Sequence, residues 1–194
     1  MRCSITAERL GISNSVLKDL GKNSSKAQAN ALNRTIAGMR TDATRLIVPQ
    51  SGLKRPQVFK SFTLIKASPR SASPSAQVII RGAPVPIYQF SAKPTAPMTG
   101  KTRGGVSFRA GSGRAVYRHA FVGKMSSGHV GVFQRTSGRF MTSNPNRQAI
   151  NEMFGPSVPQ FAGKDTVEPV VLEKAQARFD TNFQQQVRRF LPNK

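Results

Sequence analysis

Apolar positions recur at steps of three and four near both ends of the chain and break into short alternating runs between them. Leu32, Ile36, Met39, Ala43 and Ile47 share one face, Ser24 or Ser25 can cap its start, and Pro49 can close it, which predicts a helix over 24–47. The face is small and alanine-rich: Ala27, Ala29, Ala31, Ala37 and Ala43 let another element come close, while Gln28, Arg34 and Arg45 are free to meet water or a partner. A shorter helix over 13–20 precedes it, with Val16, Leu17 and Leu20 on one side and Gly21 as a stop.

The clearest helical signal lies at the other end. Val167, Val171, Ala175, Phe179, Phe183, Val187 and Phe190 or Leu191 form a stripe that predicts a helix over 165–191. Asp165 and Glu168 have the spacing of a capping box, and Pro169 falls in the first turn, where a missing N–H costs little. Acids gather near the start and Arg188 and Arg189 near the end, as the helix dipole favours. The phenylalanine stripe reads as core packing.

Between the helices the period shortens to β-like runs at 59–66, 77–81, 85–90, 105–110, 116–123 and 129–135. Stretches rich in Ser, Pro, Gly and Asn at 67–75, 91–105 and 136–147 read as loops, and the second is long and basic. No internal repeat or coiled-coil heptad is present. The chain therefore reads as a single α+β domain over 1–194. A mostly antiparallel β-sheet or partial barrel, the basic region 59–135, is packed by an N-terminal alanine-rich helix and a long C-terminal helix, with 1–22 as an N-terminal arm.

Charge changes this picture more than composition does. The 194 residues carry 30 Lys plus Arg against 8 Asp plus Glu, a net +22. The acids are Glu8, Asp19, Asp42, Glu152, Asp165, Glu168, Glu173 and Asp180, so residues 43–151 hold no carboxylate side chain beside 17 basic residues. A compact state of this charge repels itself and is drawn to polyanions or acidic protein surfaces. Cys3 is the one cysteine, which excludes an intrachain disulfide framework and a thiolate metal cluster and fits a reducing compartment. The first residues lack an apolar signal region, and no apolar run is long enough to span a bilayer. The expectation is a soluble protein made in the cytoplasm, without a membrane partner.

Candidate chemistry fails on the shortage of acids. The string TAPMTGKT (95–102) ends like a phosphate-binding loop, but Thr95 stands where the first glycine belongs, and RGGVSF follows where the motif needs a helix. A nucleotidase would also need a carboxylate for its metal, and the region offers none. His119 and His129 are the only imidazoles, and nothing in their spacing suggests a metal site or a triad. Catalysis would need Glu152, Asp165 or Glu168 brought to His119 or His129. The expectation is no enzyme, no cofactor and no metal.

Nucleic-acid binding has charge in its favour and motifs against it. No helix-turn-helix, zinc-finger or RRM signature appears, there is no Trp, and the basic residues are spread singly. Phe59, Phe62, Phe90, Phe108, Phe121 and Phe133 alternate with basic residues as base-stacking platforms do, although they more simply face a core. A non-specific nucleic-acid-binding protein is the alternative reading.

Four blocks carry a resemblance. They are ALNRT (31–35) running on to Arg40 and Arg45, PVPIYQF (84–90), AFVGKMSSGHVGVFQR (120–135) and INEMFGPSVPQ (150–160) leading into the C-terminal helix. Over roughly 27–190 the chain resembles the prophage minor tail protein Z family, the tail completion proteins of tailed bacteriophages. The resemblance implies a structural virion protein, made in the host cytoplasm, at the neck where the tail meets the DNA-filled head. It implies a homo-oligomeric ring, as a hexamer, whose neighbours are the tail tube, the tail terminator and the head–tail connector, with packaged DNA nearby. No catalytic residue comes with it. Lys93, Lys101, Arg103, Arg109, Arg114 and Arg118 cluster on and after the long basic loop and are the candidate contacts for a partner or DNA.

Overall fold

A computed structural model describes residues 2–6, 21–97, 105–111, 113–142 and 144–191. The segment from Ser25 to Arg45 contains no proline and one glycine, and it forms most of α1 (Ser24–Ser51). The helix continues past Pro49, where the sequence predicted closure. Gly52 ends it instead: its N–H reaches the Val48 carbonyl at 3.1 Å and its φ of 74° is the left-handed cap that glycine adopts without strain. The helix predicted over 13–20 lies outside the described residues.

The described chain divides into two compact units. The first comprises residues through Ile47, then Val58–Arg81, then the chain from Ala162; the second comprises Val48–Gln57 and Gly82–Phe161.

In the first unit, α1 lies against the C-terminal helix α4 (Glu168–Phe190). Val171, Ala175, Phe179 and Phe183 of the predicted stripe are buried, while Val187 and Phe190 are only partly covered. The facing surface of α1 buries Ala31, Leu32, Thr35, Ile36, Met39, Ala43 and Ile47. Four polar bridges order the pair: Asn30 to Gln186 at 3.3 Å, Arg34 to Gln185 at 3.4 Å, Asn182 to the Thr35 hydroxyl at 3.2 Å, and Arg178 to Asp42 at 2.6 Å. Rising numbers on one helix meet falling numbers on the other, so the two run antiparallel. The Arg178 side chain lies across Gly38, where a Cβ would stand 2.5 Å from Arg178 Cδ.

The predicted capping box does not form. Val167 occupies the N-cap position with no side-chain bond, and Pro169 sits in the first turn as expected.

A three-stranded antiparallel sheet completes this unit, with β1 (Arg2–Thr6) and β2 (Phe62–Ile65) flanking β3 (Ser75–Ile80). Phe62 pairs with Ile80 in register, and both line a small apolar cleft with Met39, Ala43 and Val171. Asn33 ties the following loop to α1: its amide donates to the Ala67 carbonyl at 3.1 Å and its oxygen accepts the Ala67 N–H at 2.7 Å. The start of the run predicted as strand at 59–66 is instead the last turn of α2 (Arg55–Lys60), with Pro56 at its beginning.

The second unit is built on short strands. The two-residue strand β4 (Val85–Pro86) leads into a 3-10 turn, Ile87–Gln89, where the sequence predicted a strand to 90. A hairpin follows, β5 (Val106–Ala110) with β6 (Gly113–Tyr117), and then a three-stranded antiparallel sheet of β7 (Ala120–Lys124), β8 (Val130–Met141) and β9 (Asn144–Glu152). The chain pairs β10 (Phe154–Gly155) back on β4 and turns through α3 (Val158–Ala162). Ile87, Phe90, Val106, Phe108, Val122, Val132 and Phe133 are among its buried apolar residues. The α+β class holds, but the partial-barrel alternative does not: the described strands form four separate antiparallel sheets that do not close.

Candidate interaction surface

Alternation in β5 turns Val106 and Phe108 to the core and leaves Ser107 and Arg109 on the other face. Segment 90–93 runs beside this strand. Lys93 and Ser107 exchange backbone hydrogen bonds of 2.7 and 2.9 Å, and the Arg109 N–H reaches the Phe90 carbonyl at 2.8 Å. Arg114 is the cross-strand partner of Arg109, a like-charge pairing that is unfavourable unless one side chain turns away. It does: Arg114 Nη2 donates to the Ser91 carbonyl, the Ser107 carbonyl and the Ser107 hydroxyl at 3.1, 3.1 and 3.0 Å. The Arg109 stem crosses Gly52, where a Cβ would sit 2.8 Å away.

The structure thus brings Lys93, Arg109 and Arg114 to one small sheet and gives Arg114 a bracing task. Arg118 is exposed on the turn after β6. Lys101 and Arg103 lie outside the described residues. Beside this sheet a groove of about 390 Å³ is lined by Lys54, Gln57, Tyr88, Ser91, Lys93 and Thr95, two ammonium groups with no carboxylate.

The six phenylalanines considered as base platforms are mostly core. Phe62, Phe90, Phe108 and Phe133 are buried, the Arg40 guanidinium covers Phe59 at 3.8 Å, and Arg135 lies 5.6 Å from the Phe121 ring.

Sequence reasoning missed a basic arm. Most of the stretch 136–147, read as a loop, is strand: residues 136–141 and 144–147 are the far ends of β8 and β9, paired Phe140 to Gln148 and Met141 to Asn144 with register shifts on either side of Phe140. Arg135, Arg139 and Arg147 are exposed on it, and so are the rings and thioether of Phe140 (58%) and Met141 (37%). The alternation of hydrophobic and polar residues that would have marked these strands is absent because neither face covers a core.

The carboxylates are sorted as sharply. Asp42 is paired with Arg178, and Glu152 Oε1 lies 2.8 Å from His129 Nε2. This second contact is the one acid–imidazole pairing the sequence left open for catalysis that the described residues contain. His129 is half exposed and the contact pins the end of β9 to the turn before β8. The other described acids, Asp165, Glu168, Glu173 and Asp180, make no ion pair with a described residue and fall within one short stretch of the first unit. Among the described residues no group of three His, Cys, Asp or Glu is placed to hold a metal, and no helix is long and apolar enough to cross a membrane.

Residues 11–193 match the model of the prophage minor tail protein Z (GPZ) family. The chain belongs to this family. No curated protein and no solved structure matches it. As a minor tail protein Z family member the chain is a structural component of a phage tail, and the family points to other tail proteins as its neighbours and to the virion tail as its place. A structural tail role is consistent with the expectation of no catalysis.

Proposed function

We propose that this chain is a tail completion or neck protein that assembles as a ring, a hexamer to match a six-fold tail, at the head–tail junction and helps join tail to head around the DNA channel. The observation that carries the reading is the family match over nearly the whole chain, 11–193. Two physical features support it. A closed ring of identical subunits with head-to-tail contacts needs two different, complementary surfaces on each copy. The acids are segregated outside residues 43–151, and that carboxylate-free region suits an acidic neighbour or a channel that DNA passes through. Lys93, Lys101, Arg103, Arg109, Arg114 and Arg118 are the contacts proposed for partner or DNA, and Arg114 also bridges Ser91 and Ser107.

The test is to purify particles, treat them with nuclease and count this chain per particle by mass spectrometry. A count at six or a multiple of it is the expected result; absence from intact particles overturns the proposal. The net charge of +22 favours one second reading, a free non-specific nucleic-acid binder. That reading expects tight binding to purified duplex at physiological salt, with log affinity falling steeply against log salt.

A further inference from the structure

A chain of charge +22 repels its own copies, so a contact between two of them is favoured where acids of one meet basic residues of the other. Among the described residues the negative surface is narrow. It runs from Asp165 through Glu168 and Glu173 to Asp180, on and just before α4, since Asp42 and Glu152 are taken by Arg178 and His129. Leu172 stands within it, 40% exposed. Beside Leu172 and Glu168 lies a half-open apolar cleft of about 30 Å³, lined by Met39, Phe62, Val78 and Val171.

The β8–β9 arm is the matching shape. It carries three exposed arginines and no acid, and at its end Phe140 and Met141 stand in water without a core to join. Exposed apolar residues rimmed by charge mark a surface that another molecule covers.

We propose that the β8–β9 arm of one copy docks on α4 of a second copy, Phe140 and Met141 against Leu172 and its cleft, Arg139 and Arg147 beside Glu168 and Glu173. The inference rests on the ring reading and names its subunit contact. Arm and helix face are different surfaces, so the contact is head-to-tail: each copy gives its arm to one neighbour and receives an arm from another. Most of the energy belongs to the aromatic ring and the thioether, which leave water, while the charges set register and partner choice.

The experiment is sedimentation velocity on the full chain, with two variants checked for folding by circular dichroism. The arm variant is Arg139→Ser with Phe140→Ser; the helix variant is Leu172→Ser with Glu173→Gln. The wild-type chain is expected to assemble beyond a dimer, and each variant alone to associate at least ~10-fold more weakly, as loss of one central apolar anchor gives. An equal mixture of the two variants retains one intact arm and one intact helix face, so it is expected to stop at a dimer. Should the helix variant lose its fold, Glu173→Lys alone at the exposed position serves instead. A wild-type chain that stays monomeric, variants that assemble normally, or a mixture that forms no dimer overturns the contact. So does an arm variant that loses duplex DNA binding while its self-association is unchanged. Particle counting scores the ring separately: six copies per tail together with assembly blind to both variants rejects the arm contact and leaves the ring standing.

Discussion

Replacing Gly38 by alanine should destabilise the protein, against the ordinary rule for a glycine inside a helix. On propensity alone the change gains about 1 kcal/mol, because glycine loses more backbone freedom on folding than alanine does. The new methyl carbon, however, would stand 2.5 Å from Arg178 Cδ and Nε and 2.6 Å from Nη1. The arginine must swing aside, and with it goes the 2.6 Å bond to Asp42, a carboxylate only 8% exposed. A hydrogen bond between charged groups contributes about 1.5–3 kcal/mol. Arg178 is 42% exposed and partly hydrated, which places the loss near the middle of that range, about 2 kcal/mol. The net expectation is a loss of about 1 kcal/mol in the wild type. In an Arg178→Ala background the obstacle is gone, and the same Gly38→Ala change should stabilise by about 1 kcal/mol. Urea unfolding of the four proteins, followed by far-ultraviolet circular dichroism, measures the cycle. A Gly38→Ala change that stabilises in both backgrounds, or shows no coupling to Arg178, would refute the account of how α1 and α4 meet.

Three further outcomes follow from the packing. Phe179→Ala should cost about 3–5 kcal/mol in the same unfolding assay, since the ring is fully buried, stacks on Phe183 and leaves a cavity. Asn33→Ala should cost about 1–2 kcal/mol, because it leaves the buried Ala67 without the side-chain partner of its N–H and carbonyl. Arg114→Ala removes the hydrogen bond that ties Ser91 to β6 together with two to Ser107 of β5, so limited proteolysis should cut faster within 91–97 while the urea midpoint shifts little. Unchanged cleavage there would deny Arg114 its bracing task.

Where a residue's neighbours in sequence decide its structure, the chain was legible. The stripe from Val171 to Phe183 and most of the alanine-rich face of α1 were readable because a helix repeats its buried side every turn; Ala27, Ala29, Ala31 and Ala43 lie in the core, whereas Ala37 is exposed and Gln28, expected to meet water, is buried. The errors sit where a distant partner or a single backbone bond decides. Pro49 looked like a stop, but a proline in the last turn forfeits one bond, and Gly52 completes the cap. Asp165 and Glu168 had capping-box spacing, yet the helix begins at Glu168 and leaves Asp165 outside its first turn. The arm at 136–147 was hidden by its own composition: Ser, Gly, Asn and Pro mark turns, but two such stretches still pair through their backbones when β8 and β9 have already set the register nearer the core. Of the six candidate contacts, Lys93, Arg109 and Arg114 meet on one small sheet, and their roles were not legible in the sequence. Only folding shows Arg114 curled onto Ser91 and Ser107 and the Arg109 stem laid across Gly52.

The antiparallel pairing of α1 with α4 has a consequence for how a subunit matures. Arg178 follows its partner Asp42 by 136 residues, so a growing chain exposes α1 well before α4 leaves the ribosome. Contacts between such distant segments close a long loop and form late. The first unit therefore completes its core only once α4 has been made. Until then the apolar positions Leu32, Ile36 and Ile47 leave α1 open to chaperones and proteases, a window that closes when the two helices pair.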